Sequence, residues 1–222
     1  MSCLGKLFTN ILNSRLQLFC DSHDIINQFQ TGFRKQHSTI DNIFVLNCLI
    51  DIFKSQHNKL YCAFIDLKAA FDKIDRQFLW SKLGLYNISG KFLNVVKNIY
   101  ENAKSCVKVN GIKSDYFPCC IGVRQGENLS PLLFSLFLND LHDFFSSNAS
   151  VNGVHCSHTD PSDISMFVKL FALLYADDTI LISESASELQ NALNVYADYC
   201  KKWELTVNIS KTKIIVFSRD RF

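Results

Sequence analysis

The stretch FALLYADDTILIS, Phe171 to Ser183, sets two carboxylates, Asp177 and Asp178, side by side between two apolar runs. Burying an unpaired carboxylate is costly, and adjacent carboxylates also repel each other. Either a positive charge sits there or the pair lies at a solvated turn. A third carboxylate, Asp66, ends the apolar run LYCAFID. Side chains alternate faces along a strand, so Asp177 and Asp178 cannot both point the same way on a regular one. The expectation is that Asp177 faces Asp66 while Asp178 lies more to the side. Carboxylates converging from two strands make an oxygen site for hard divalent cations, and Mg2+ favours such a site when a substrate phosphate completes it. The plainer alternative is a polar hairpin tip at YADD and a helix-capping Asp66.

The elements that must position these residues follow from periodicity. LYCAFID reads as a central strand, and FALLYADDTILIS as a hairpin with the aspartates at its tip. Leu4, Leu7, Phe8, Ile11, Leu12, Leu16 and Phe19 recur at helical spacing near the start. A basic link, QTGFRKQHST, then leads to a second helix capped by Ser38 or Thr39 and carrying Ile40, Ile43, Phe44, Leu46, Ile50 and Phe53. After Asp66, the spacing of Phe71, Ile74, Phe78, Leu79 and Leu83 predicts one helix, with Asp72 and Asp75 on it facing solvent or in local salt bridges. Asn110-Gly111 predicts a hairpin. Ser130-Pro131 opens an all-round apolar helix, LLFSLFLNDLHDFF, expected deep in the core. Residues 146–163 read as a loop, Ser185 and Glu188 as a capping box, and LTVNI with KIIVF as a closing strand pair. Long helices mixed with hairpins predict an α+β fold on an antiparallel sheet.

Composition narrows the class. The chain has 222 residues, room for one large domain or two small ones, and its 48% hydrophobic content with 19 Phe excludes wholesale disorder. A formal charge of +2 neither demands nor excludes a nucleic-acid partner. Nine cysteines without a CxxC pair, and no secretory leader at Met1, predict free thiols in an intracellular compartment, cytoplasm or nucleus. The Asn-x-Ser sequons at Asn87, Asn128, Asn148 and Asn208 then read as chance matches. No apolar run is long enough to span a bilayer. HCSHTDPSD gathers His155, Cys156, His158 and two aspartates, but in no standard zinc spacing, and reads as a polar loop.

Three ordered blocks, AFIDLKAAFDKID, RQGENLSPLLFSLFLNDL and YADDTILIS, are very similar to central blocks of reverse transcriptases. The likeness is to those of non-long-terminal-repeat retrotransposons, the long interspersed element class. QTGFRKQHSTIDNIFVL and LTVNISKTKIIVF resemble the blocks on either side, so the resemblance covers essentially the whole chain. It implies a right-hand polymerase palm with partial fingers. Residues 1–59 and 84–120 are expected as fingers, 60–83 and 121–222 as palm. Nothing matches the family's thumb, its earlier finger sequence or an accompanying endonuclease, so a fragment of a mobile element is expected.

The resemblance implies roles residue by residue. Asp66 and Asp177 hold two metal ions, Mg2+ or alternatively Mn2+, with Asp178 as a supporting carboxylate and the Leu67 carbonyl as a further contact. Phe71 lies beneath the incoming sugar and rejects a ribose 2′-hydroxyl; the alternative is a core residue. Gln125 and Gly126 stand near the incoming nucleotide and template, and Arg124 at a nucleic-acid phosphate. Arg34 and Lys35 meet triphosphate or template phosphates, and Lys211 assists pyrophosphate departure. For each of these the alternative is an ordinary loop or solvated residue. Gln36 and Glu204 stand where the family often has glycine. The partners implied are an RNA template, a DNA primer and deoxynucleoside triphosphates. Two other functions stay open: an RNA-dependent RNA polymerase, which Phe71 argues against, and a decayed or exapted fragment that only binds RNA or protein.

Overall fold

The computed structural model describes residues 3–156, 168–170 and 172–219, the side chains of 155–156 and 168–170 excepted. In chain order the elements are α1 (Cys3–Ser22), α2 (Thr39–Ser55), β1 (Leu60–Ile65), α3 (Ala70–Lys73), α4 (Arg76–Leu85) and α5 (Gly90–Glu101). Short strands β2 (Lys104–Ser105), β3 (Lys108–Val109), β4 (Ile112–Lys113) and β5 (Phe117–Pro118) follow. Next come α6 (Ser130–Leu138), α7 (Leu141–Ser146), β6 (Val154–Cys156) and β7 (Val168–Leu170). The chain ends with β8 (Ala172–Tyr175), β9 (Asp178–Ser183), α8 (Ala186–Lys202) and β10 (Lys213–Phe217). Two compact units share them: Met1–Ile25 with Ala69–Phe137, and Ile26–Lys68 with Leu138–Phe222.

The second unit is built on an antiparallel sheet of order β10-β1-β9-β8. Its apolar run makes β1 a strand paired on both sides, with Leu60, Cys62, Ala63 and Ile65 buried. Leu49, Ile50 and Phe53 of α2 pack on Leu60, Cys62, Leu173 and Ile182. The edge strand β8 is covered by the Phe29–Thr31 segment: Leu174 N–H donates to the Phe29 carbonyl and Thr31 N–H to the Leu174 carbonyl, both at 3.1 Å. That contact uses up an edge that would otherwise pair with other chains. The Ser185 hydroxyl accepts from Glu188 N–H at 3.2 Å and starts α8, as the capping box predicts.

In the first unit, Leu133, Phe134, Leu136 and Phe137 of α6 are fully buried. Asn110 and Gly111 turn β3 into β4 with φ of 51° and 86°, the left-handed pair that an Asn-Gly hairpin requires. The buried Arg76 guanidinium donates to four carbonyls: Gly122 (2.8 Å), Tyr100 (2.8 Å), Cys119 (2.7 Å) and Ile121 (3.1 Å).

Several elements differ from expectation. The helix predicted from Phe71 to Leu83 breaks at Ile74 (ψ 123°), because the Asp75 carboxylate caps α4 by accepting from Gln77 and Phe78 N–H. LLFSLFLNDLHDFF breaks at Asn139–Asp140, whose side chains are engaged by Asn27 N–H (2.7 Å) and the Tyr199 hydroxyl (2.6 Å). The loop predicted over 146–163 contains β6, which pairs with β7. LTVNI forms no strand; only Val207 bridges, to Leu67, and KIIVF pairs with β1 instead.

Cys20, Cys62 and Cys200 are buried free thiols, each pushed up to about 12 by burial. Among the described residues no helix is long and apolar enough to cross a membrane. Of the HCSHTDPSD cluster, His155 and Cys156 lie in β6, and the rest fall outside the described residues.

Candidate active site

The β1–β9 register brings the acidic residues to one end of the sheet. Ile65 pairs with Thr179, so Asp66, the next residue, leaves β1 alongside Asp178, the first residue of β9. Tyr175 pairs with Asp178, which leaves Ala176 and Asp177 as a two-residue turn. Ala176 takes φ of 58° there. Asp66, Asp178 and Lys211 line one cleft of about 440 Å³, together with Phe64, Tyr175 and Ile180. Asp177 sits at the turn beside them. Burial, above all, raises its pKa; its own backbone N–H opposes this, Asp178 and Asp66 add to it, and Lys211 offsets it in part.

Asp66 is held from the loop between α8 and β10. Asn208 Nδ2 donates to Asp66 Oδ2 at 2.8 Å, and Lys211 Nζ stands 3.9 Å from the same oxygen. Asp66 N–H reaches the Thr212 hydroxyl at 3.4 Å, and Asn208 N–H donates to the Asp66 carbonyl at 2.8 Å. Lys68 N–H donates to the Thr206 carbonyl at 2.7 Å. These backbone bonds flank Leu67 and do not use its own carbonyl.

The donor set at this end of the sheet is carboxylate oxygen, which suits a hard divalent cation. Among the described residues no group of three or more His, Cys, Asp or Glu side chains is arranged to hold a metal by itself. Burial first, and then the neighbouring Asp178 and Asp66, disfavour the charged form of Asp177.

Arg34 and Lys35 belong to the same unit as Asp66. Arg34 Nη1 donates to the Asn27 and Gln30 carbonyls at 3.2 and 3.4 Å, so part of its fork braces its own loop, while Lys35 is exposed. Phe71, Arg124, Gln125 and Gly126 belong to the other unit. There Phe71 is half-buried and stacks on Phe134 with centroids 4.5 Å apart. Gln125 Nε2 donates to both oxygens of Asp72 at 3.2 and 3.1 Å. Gly126 has φ of 76° with open space where a Cβ would lie, so its backbone angle, not crowding, calls for glycine. Asn208, Thr212 and Arg76 were not singled out from the sequence; each is a lone polar residue whose significance depends on which distant strand or loop it meets.

A family model described as reverse transcriptase (RNA-dependent DNA polymerase) matches residues 1–220. The chain belongs to this family. Reverse transcriptases as a family use divalent metal ions, nucleic-acid templates and nucleotide substrates. Among curated relatives, the chain is 31% identical to a probable RNA-directed DNA polymerase from transposon BS of Drosophila melanogaster, over 96% of this chain and 22% of that protein. It is 30% identical to the RNA-directed DNA polymerase from mobile element jockey of the same species, over 97% of this chain and 22% of that protein. The chain thus spans about a fifth of the length of these reverse transcriptase relatives. Among solved structures, apo telomerase from Candida tropicalis, truncated from its C-terminal domain, superposes with a TM-score of 0.64 at 20% identity, over 93% of this chain and 40% of that one. Telomerase from the same species in complex with a fragment of telomeric RNA gives 0.66 at 17% identity, over 92% and 33%. These likenesses give the fold, a right-hand polymerase, in agreement with the antiparallel sheet and packed helices described above.

Proposed function

We propose that this chain is the RNA-directed DNA polymerase portion of a non-long-terminal-repeat retrotransposon protein, adding deoxynucleotides to a primer 3′-hydroxyl on an RNA template. The observation that carries this reading is the β1–β9 register, which runs Asp66 alongside the Asp177–Asp178 turn, with Lys211 3.9 Å from Asp66. Names of the curated relatives, RNA-directed DNA polymerases of mobile elements, support it.

In this reading Asp66 and Asp177 hold two Mg2+ ions, with Asp178 and the Leu67 carbonyl in support and Mn2+ as a substitute. The ions, when bound, supply Lewis acidity at the attacking hydroxyl and charge neutralisation at the departing pyrophosphate. Asn208 fixes the orientation of Asp66, as residues behind metal ligands commonly do. Lys211 offers positive charge, or a proton, to the leaving group. Phe71 presents a flat apolar surface that has no room and no hydrogen bond for a 2′-hydroxyl. Gln125, with Gly126, receives the nucleotide from a side chain already steadied by Asp72. Arg34, Lys35 and Arg124 contact phosphates, which position nucleic acid without reading its sequence. Residues 1–59 and 84–120 serve as fingers, and 60–83 and 121–222 as palm.

The test is primer extension on an RNA template with Mg2+ and deoxynucleotides. Asp66→Asn and Asp177→Asn preserve size and remove charge, and each should abolish extension, whereas Asp51→Asn, on the exposed side of α2, should leave it intact. Substantial Mg2+-dependent extension by a folded Asp177→Asn protein rules the assignment out. Wild-type binding of primer–template without any extension supports an RNA-binding fragment instead.

A further inference from the structure

The turn that carries Asp177 is held from a segment far away in sequence. Because Tyr175 pairs with Asp178, the hairpin ladder does not serve the peptide groups of Ala176. Ala176 is only 4% exposed, so water is a poor partner for them as well. Gln30, itself fully buried, supplies both bonds: its Oε1 accepts from Ala176 N–H at 3.1 Å, and its Nε2 donates to the Ala176 carbonyl at 3.3 Å. The same Oε1 accepts from Gly32 N–H at 3.0 Å. A Cβ built on Gly32 would lie 2.1 Å from the Ala176 nitrogen, so backbone meets backbone there with no space for any side chain. Two residues before the turn begins, the Leu174 carbonyl accepts from Thr31 N–H (3.1 Å), Thr31 Oγ1 (3.0 Å) and Asn42 Nδ2 (3.1 Å).

We infer that Gln30 is a positioning residue for the carboxylate turn, its side-chain amide fixing Ala176 and thereby the placement of Asp177 and Asp178. The inference rests on the reading of those carboxylates as metal-holding. Ala176 has to be kept in a left-handed conformation that costs an L-residue free energy. Asp66, Asp177 and Asp178 meanwhile push against one another. An uncharged amide bonded to the backbone resists both effects without adding a charge that would compete with the cation.

The test compares wild type with Gln30→Leu, which fills similar space without the hydrogen bonds, in the full chain. Three quantities are read: amide hydrogen exchange by NMR, Mn2+ affinity by the electron paramagnetic resonance signal of the free ion, and primer-extension kinetics. Exchange at Ala176 and Gly32 should accelerate while amides of the β1–β9 ladder stay protected. Mn2+ affinity and kcat should fall by about 10–100-fold, with KM for the deoxynucleotide changed less than about twofold. Unchanged exchange at Ala176, or faster exchange with wild-type Mn2+ affinity and kcat, overturns the proposal. A wild type that neither binds Mn2+ nor extends a primer overturns the metal reading and the positioning role with it, even where exchange shows the contact to be real. Should Gln30→Leu fail to fold, Gln30→Glu, which keeps the acceptor and loses the donor on ionising, carries the same three measurements.

Discussion

Asp177 pays for its position in stability, and the sign can be followed with pH. Burial, then Asp178 and Asp66, lift its pKa above the ordinary 3.8, so the folded chain holds that proton more tightly than the unfolded one. The resulting stabilisation is complete below the unfolded value and is lost as pH rises through the folded one. At neutral pH without metal, Asp177→Asn should therefore melt higher than wild type, and the gap should close as pH falls below about 4. Thermal melts of both proteins in chelator across that window decide it; a gap that widens on acidification would contradict the repulsion. Phe71 invites a second measurement. Phe71→Val removes the ring stacked on Phe134, so some stability is lost, but selection against ribonucleotides should relax in an active preparation. Unchanged discrimination would leave Phe71 a core residue only. At this scale the carboxylates could be nominated from the residues themselves, because two aspartates between apolar runs are conspicuous, whereas Lys211 was nominated by the family resemblance alone. Gln30, Asn208 and Thr212 could not, since an uncharged polar residue in a link or loop has no pattern until its partner strand is known.

Two turns and helix ends show the same solution with unexpected residues. Glu204 and Gln36 occupy positions where a glycine would be usual, and both take left-handed backbone, with φ of 55° and 65°. The helix α8 still stops as a glycine-ended helix does: Leu205 N–H, one residue past Glu204, donates back to the Cys200 carbonyl at 2.8 Å. Surrounding contacts thus impose the conformation that the side chain disfavours. Glu204→Gly should relieve it and raise stability by roughly 0.5–1 kcal/mol, read by chemical denaturation, with activity unaffected. A loss of stability would mean that the Glu204 side chain contributes more than its backbone costs. Hairpins and capped helices were legible because Asn-Gly and Ser-x-x-Glu state their geometry locally. The breaks at Ile74 and at Asn139–Asp140 were not: apolar spacing runs straight through both, and the causes are an Asp75 cap and partners more than fifty residues away. LTVNI alternates like a strand, yet its backbone is spent bracing the residues around Asp66.

The α+β class could be read from the order of elements, but not the division into two units, because the chain passes between them at Ile25, at Lys68 and at Phe137. The central crossing comes two residues after Asp66, and no linker composition marks any of the three. Much apolar surface is also uncovered: Leu4, Leu7 and Phe8 on α1 are 79%, 58% and 48% exposed, and Ile112 on the β3–β4 hairpin is 76% exposed. Patches of this kind favour association. Leu4→Lys with Leu7→Lys should raise the concentration at which the chain stays monodisperse in light scattering while leaving its melting temperature unchanged. A falling melting temperature would mean that these leucines pack in the folded state. The sheet itself has a consequence in time. Strand β1 has β9 and β10 as its partners, and they lie more than a hundred residues later. On a ribosome adding residues at about 5–20 per second, one edge of this apolar strand waits roughly 6–24 s for β9 and the other roughly 8–30 s for β10. For that interval LYCAFI is an open template for any neighbouring nascent chain, so expression at low temperature or with a holding chaperone should favour recovery of folded protein.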